Sequence, residues 1–290
     1  MKAKMRLFTD LTAKGGTVVL NADIPEFDRM DKTCRFHGLK VLSYGQNGQA
    51  LKLVKQTLHE AGQDLTLDIL GKTYDIKLPV AGAFQGMNIL CAVGLAIGTG
   101  IDAETAIQAL QTVKAPDGRM ELVGRTPEGA SIFVDYAHTP DGLETALKSL
   151  RHHTRNKLHV LFGCGGNRDT GKRPIMGKIA ADLADEVIVT DDNPRFEDAA
   201  EIRRQILSAV PQATEIDDRA VAIYTAVSRL KAGDVLLLAG KGHEEGQLIN
   251  GMMYTFNDRI QVLLALKALK EKPKMIIAGA SAYPRTIDFA

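Results

Sequence analysis

Thiols are scarce in this chain. Cys34, Cys91 and Cys164 are its three cysteines, and no CxxC pair occurs among its 290 residues. An odd number of scattered thiols excludes a disulfide framework and fits a reducing, cytoplasmic setting. No run of about 18 apolar residues is present, so no membrane-spanning helix is expected. The opening MKAKMRLFTD has no apolar core of a secretory signal. Charge is balanced, at a formal +1, with no long block of one sign. Neither a nucleic-acid nor a membrane partner is therefore expected. No H-E-x-x-H occurs, so the HEE at 243–245 is not a zinc site, and His243 reads as structural. What remains is 45% hydrophobic and 24% charged, ordinary for one or two globular domains.

A P-loop is missing too. In LHVLFGCGGNRDTGKRPIMG (158–177), Gly166 to Lys172 has the spacing G-x-x-x-x-G-K. A phosphate-cradling P-loop needs Ser or Thr next, because that hydroxyl holds magnesium. Here the residue is Arg173, a cation, and no G-x-x-x-x-G-K-[ST] occurs elsewhere.

Strand and helix signals come in two blocks. GGTVVLNAD (15–23) and KVLSYGQNG (40–48) read as strands that end in turns. Residues 56–80 read as antiparallel strands around a turn at GK. A buried helix is expected over 82–101, and a second from 102 with Asp102 as its cap. After 114–125 the pattern alternates strand and helix: ASIFVDYAH then TPDGLETALKSLRHH, with Thr139 as cap and Pro140 at the first position. KLHVLFG, DEVIVTDDNP and DVLLLAGKG are further strands, each with helical segments between them. Such alternation means βαβ units and a mainly parallel sheet, which binds ligands at the carboxyl ends of its strands. Four of those ends carry polar clusters: DYAH, GCGGNRD, TDDNPR and AGKGHEE.

In this order VDYAHTPD, FGCGGNRDTGKRPIMG, DDNPR and AGKGHEE resemble the Mur ligase family, specifically its diaminopimelate-adding members, over about residues 2–270. The resemblance implies an α/β fold: an incomplete central ATPase domain (1–114), then a Rossmann-like C-terminal domain (115–270) with a mainly parallel sheet. It implies an ATP-dependent amide ligase, acting as a monomer on ATP, meso-diaminopimelate and UDP-MurNAc-L-Ala-D-Glu for peptidoglycan. ATP would phosphorylate the substrate carboxylate, the amine would attack the acyl phosphate, and phosphate would leave. Charge gathers on phosphoryl oxygens, so cations and Mg2+ carry much of such catalysis.

The resemblance also assigns residues. Arg168, on the glycine loop, and Arg195 would grip carboxylates of diaminopimelate through planar forks. Lysine lacks the far carboxylate, and related lysine-adding members lack the arginine at 195. Asp192, Asn193 and Pro194 complete that motif, and Pro194 restricts Asn193 to extended geometry. The Gly240 carbonyl and the Glu244 carboxylate would meet an ammonium. Asn88, Arg119, Asp135, Tyr136 and His138 match residues near ATP. Lys4 matches a lysine that carries a carbamate and thereby offers oxygen to magnesium. Some features depart from the family: Gln85 replaces an asparagine, and PDGR has one residue more than the usual PGR. The family's sugar-binding domain and its P-loop fall outside this sequence, so the chain alone is expected to be inactive. Residues 271–290 resemble an internal segment of serine hydroxymethyltransferase. The second reading, left open, is a non-catalytic domain that binds an amino acid.

Overall fold

The computed structural model describes residues 6–59 and 62–271. The first unit holds β1 (Thr17–Asn21), α1 (Phe27–Phe36), β2 (Lys40–Gly45), β3 (Leu51–His59), β4 (Gly62–Ile69), β5 (Lys72–Leu78), α2 (Phe84–Gly98) and α3 (Ala103–Ala109). Its sheet runs β1-β2-β3-β4-β5. The first three strands are parallel, and β3, β4 and β5 form an antiparallel meander. The turn between β4 and β5 is centred on Leu70 and Gly71, one residue earlier than GK. Both have positive φ, 54° and 85°, the pairing that a two-residue hairpin needs. Alternation puts Leu51, Leu53, Leu65, Leu67 and Ile69 on one face, against Leu90 and Val93 of α2 and Ile107 of α3. The expected Asp102 cap is present: its carboxylate accepts from the Thr105 amide. The sequence did not point to α1. Cys34 is its one buried residue, against Val18, Leu20 and Leu39, while Phe27 and Met30 pack there only partly buried, so its apolar stripe is short and sits among charged residues.

The second unit holds β6 (Glu121–Arg125), β7 (Ser131–Asp135), α4 (Pro140–Arg151), β8 (Leu158–Phe162), α5 (Lys172–Leu183), β9 (Glu186–Val189), α6 (Ala199–Leu207), β10 (Thr214–Glu215), α7 (Arg219–Arg229), β11 (Val235–Ala239), β12 (Gly246–Ile249), β13 (Met252–Thr255) and α8 (Asp258–Glu271). The sheet order is β10-β9-β8-β11-β7-β6, parallel except for β6. Helices α4, α5 and α6 cover one face through Leu143, Leu147, Met176 and Ile202. Helices α7 and α8 cover the other through Ile223, Val227 and Val262. With both faces covered, all five residues of β11 are buried, which is why VLLLA shows no alternation. Thr139 caps α4 by accepting from the Gly142 amide, with Pro140 at the first position. The hairpin β12–β13 and the two-residue β10 were not foreseen.

The two units are tied at His153. Its Nδ1 lies 2.7 Å from the His59 carbonyl, and its Nε2 lies 3.2 Å from the Gly82 amide nitrogen. The carbonyl must accept and the amide must donate, so this geometry suits the neutral ring, protonated at Nδ1. Burial pushes the imidazole below its ordinary value, and the nearby His152 and His59 rings act in the same direction. Between the lowered folded value and an unfolded value of about 6.5, the unfolded chain binds more protons, so stability falls as pH falls. Thermal melts below about pH 6.5 should therefore show a shallower acid-induced loss in His153→Gln than in the parent. Equal slopes would show that this ring does not couple the junction to pH.

Candidate functional site

β7, β8, β9 and β11 are parallel, so their carboxyl ends lie on one edge of the sheet. The loops that leave them touch one another. A Cβ at Gly163 would overlap the Thr190 carbonyl, and one at Gly166 would overlap that of Pro194. The Gly166 amide donates to the Asn193 carbonyl at 2.9 Å. These glycines let the loop after β8 lie backbone-to-backbone on the loop after β9. That is their role here, and no phosphate is needed to explain them.

Arg173, which breaks the P-loop pattern, is fully buried. It donates to the Gly165 carbonyl at 3.3 Å and to Gln205 at 2.9 Å, and pairs with Glu197 at 2.9 Å. Glu197 in turn accepts from the Asn167 amide, and Asn167 accepts from the Phe196 amide. One buried guanidinium thus links the glycine loop to the DDNPR loop.

Arg195 has φ of 55°, in the left-handed region that non-glycine residues seldom enter. Its backbone is held in that shape by β12. The Arg195 amide donates to the Leu248 carbonyl at 2.9 Å, and the Asn250 amide donates to the Arg195 carbonyl. Its Nη1 donates to the Gly166 carbonyl at 2.8 Å. Asn193 donates to Glu244 at 2.9 Å and accepts from the Leu248 amide at 2.9 Å. A Cβ on Gly240 would lie 3.8 Å from the Asp192 carboxylate. Lys241 stands among these groups, its Nζ 3.1 Å from Asn193, 3.3 Å from Asp192 and 3.4 Å from Glu244. The structure therefore brings Asp192, Asn193, Pro194, Arg195, Gly240 and Glu244 together. Arg168 lies exposed on the glycine loop without a hydrogen bond or ion pair, outside that network.

A second group lies where the units meet. Asn88, Arg119 and Asp135 line a cleft of about 530 Å³, together with Phe84, Gln85 and the start of α4. Asn88 donates to Gln85 at 3.0 Å, within α2. The Asp135 carboxylate accepts from the Met120 amide at 2.7 Å and the Ala137 amide at 2.8 Å. Burial nevertheless pushes its carboxyl above the ordinary range. The Arg119 guanidinium sits 4.6 Å over the Tyr136 ring. The rings of His138 and His243 lie 4.6 and 5.5 Å from that of Tyr136. This packing accounts for His243 structurally. Lys172 donates to the His138 carbonyl at 2.6 Å. Among the described residues no group of three His, Cys, Asp or Glu could hold a metal ion. Lys4 lies outside the described residues.

Family models match both units: a Mur ligase middle domain over residues 1–96 and a Mur ligase glutamate ligase domain over 118–242. The chain belongs to the Mur ligase family. It is 50% identical over 267 residues to a Caulobacter vibrioides protein named UDP-N-acetylmuramoyl-L-alanyl-D-glutamate–2,6-diaminopimelate ligase, covering 92% of this chain and 55% of that one. A protein of the same name from a Chelativorans species is 52% identical over the same length, with the same coverage. A solved structure of a ligase of that name superposes with a TM-score of 0.67 at 34% identity, covering 93% of this chain and 56% of the other. The chain spans about half the length of these relatives. The resemblance of 271–290 to serine hydroxymethyltransferase finds no support in these matches, and residues 272–290 lie outside the described residues. No helix among the described residues is long and apolar enough to cross a membrane.

The signals missed in the sequence are Arg173, Lys241 and Arg219. Arg219 is 1% exposed and meets fully buried Asp258 through Nε and Nη2, both at 2.7 Å. It also donates to the carbonyls of Ala239 at 3.2 Å and Asp191 at 3.4 Å, the ends of the site strands. Removing one partner leaves a buried, uncompensated charge. Arg219→Met should cost about 3–5 kcal/mol in denaturant unfolding. Arg219→Met/Asp258→Leu should recover much of that loss; a double variant no better than the single would contradict the pairing.

Proposed function

We propose that this chain carries the amino-acid pocket and part of the nucleotide site of an ATP-dependent ligase. We read residues 1–114 as the back half of the middle domain and 115–270 as the C-terminal domain. The proposed reaction adds meso-diaminopimelate to UDP-MurNAc-L-Ala-D-Glu. ATP transfers its γ-phosphoryl group to the glutamate carboxylate, releasing ADP. The amine then forms the C–N bond, and phosphate leaves.

One observation carries the reading: acceptor and donor groups for a zwitterion are assembled within one loop pair. Glu244 and Asp192 present carboxylates beside the Gly240 backbone, suited to an ammonium. Arg195 presents a guanidinium on the same loop as Asp192, suited to a carboxylate. Arg168, exposed one loop away, is free to turn to a ligand. Asn88, Arg119 and Asp135 line a cleft of a size ordinary for a small ligand, and we assign it to ATP, with Tyr136 against the Arg119 guanidinium and His138 beside that ring. Magnesium accompanies ATP in such chemistry and neutralises its phosphates. The reading also places the protein in the cytoplasm.

The second reading rests on one sequence fact. These 290 residues contain no G-x-x-x-x-G-K-[ST], so the chain by itself should bind the amino acid without turning over ATP. Calorimetry decides the first point. A charge-assisted contact to the extra carboxylate is worth roughly 1.5–3 kcal/mol, so meso-diaminopimelate should bind about ten- to a hundred-fold more tightly than lysine. Arg195→Ala should remove most of that preference. With ATP, magnesium and the UDP-sugar dipeptide added, phosphate release dependent on both substrates should be absent. Equal binding of the two amino acids would refute the pocket assignment, and robust phosphate release would refute the second reading.

A further inference from the structure

Lys241 follows β11 between Gly240 and Gly242, whose φ values are 113° and 53°. Glycine enters that region freely, and the kinked backbone turns the lysine inward. Its side chain is 0% exposed. A lysine ammonium has three protons and no acceptor. Here it has three oxygen neighbours, at 3.1 Å on Asn193, 3.3 Å on Asp192 and 3.4 Å on Glu244. All three belong to the proposed amino-acid pocket.

The charges can be counted. Asp192 and Glu244 contribute two negatives and Lys241 one positive, which leaves a single negative. Arg219 also faces them and is already balanced by Asp258, while the Arg195 guanidinium, on the same loop as Asp192, is turned to the Gly166 carbonyl and belongs to the carboxylate-binding side of the pocket; Cys164 is the remaining titratable neighbour. Burial pushes the Cys164 thiol up to about 12, so it stays neutral. Asn193, whose amide donates to Glu244 and whose carbonyl accepts from Leu248, is neutral and cannot replace the lysine's charge.

We propose that Lys241 is a positioning residue: it aims the Glu244 carboxylate and holds the ammonium-binding side of the pocket, Asp192 with Glu244, at one net negative charge, matched to one ligand ammonium. The proposal rests on the reading of this loop pair as an amino-acid site. Lysine removed, Asp192 and Glu244 would face each other uncompensated. Two carboxylates sharing a site cannot both ionise easily, and one then titrates above its ordinary range. A carboxyl raised in the folded state contributes stability at low pH that is lost as pH rises through the raised value. Lys241→Met should therefore fall further below the parent as pH rises.

The test uses the full chain and two readouts. Thermal melts between about pH 5 and pH 8 should show the gap between parent and Lys241→Met widening with pH. A gap that is constant with pH means that Lys241 only fills space, and overturns the proposal. If Lys241→Met is not recovered folded, Lys241→Met/Asp192→Asn restores the single negative charge and should be recovered. Failure of that double variant as well overturns the charge role. Calorimetry with meso-diaminopimelate should show affinity about ten- to a hundred-fold weaker in Lys241→Met than in the parent; equal affinity overturns the aiming of Glu244. A parent that does not bind meso-diaminopimelate refutes the amino-acid reading, while the melts still decide whether Lys241 sets the charge.

Discussion

One guanidinium holds the two strand ends on which the proposed pocket is built. Arg219 begins α7, Asp258 begins α8, and their bidentate pair joins the two helices beneath the sheet. The same guanidinium reaches the backbone after β9 and at the end of β11. Those strands are not neighbours, since β8 lies between them. Burying such a pair gives little net stability, because desolvation offsets most of the attraction. Its value lies in geometry: with no water to compete, every donor must find its acceptor, and few backbone arrangements allow that.

Two more buried cations extend the scheme outward. Arg173 fixes the glycine loop against Glu197, and Lys241 gathers Asp192, Asn193 and Glu244. The glycines at 163 and 166 let these loops come close enough for such reach. The hairpin β12–β13 then braces Arg195 in a backbone shape that it would not hold alone. In this arrangement the proposed ligand meets opposite charges already in place, which limits the ordering that binding must impose. Arg168 is the exception. It is exposed and unpaired, and any part it plays requires movement of its side chain.

Much of the second unit was legible because its signals are local. Thr139-Pro140 marks a helix start, and VLLLA between turn residues marks a strand covered on both faces. The four polar clusters pointed to the carboxyl edge of the sheet for the same reason. The missed parts depend on partners distant in sequence. The hairpin β12–β13 is held by residues some 50 positions earlier, as in the 55 residues between Asn193 and Leu248, whereas α1 was missed because its stripe of Phe27, Met30 and Cys34 is short. Lys241, Arg173 and Arg219 are charged residues that periodicity assigns to solvent. Only the fold reveals that their acceptors converge on them.

The central claim is that the loops after β8, β9 and β11 are held in place before any ligand arrives. Amide hydrogen exchange of the ligand-free chain tests it most directly. The amides of Gly166, Arg195 and Asn250 donate to carbonyls of neighbouring loops or strands. They should exchange nearly as slowly as those of β8 and β11, and meso-diaminopimelate should change them little. Fast exchange at these three amides, slowed only by the amino acid, would contradict the account and make the pocket a product of binding.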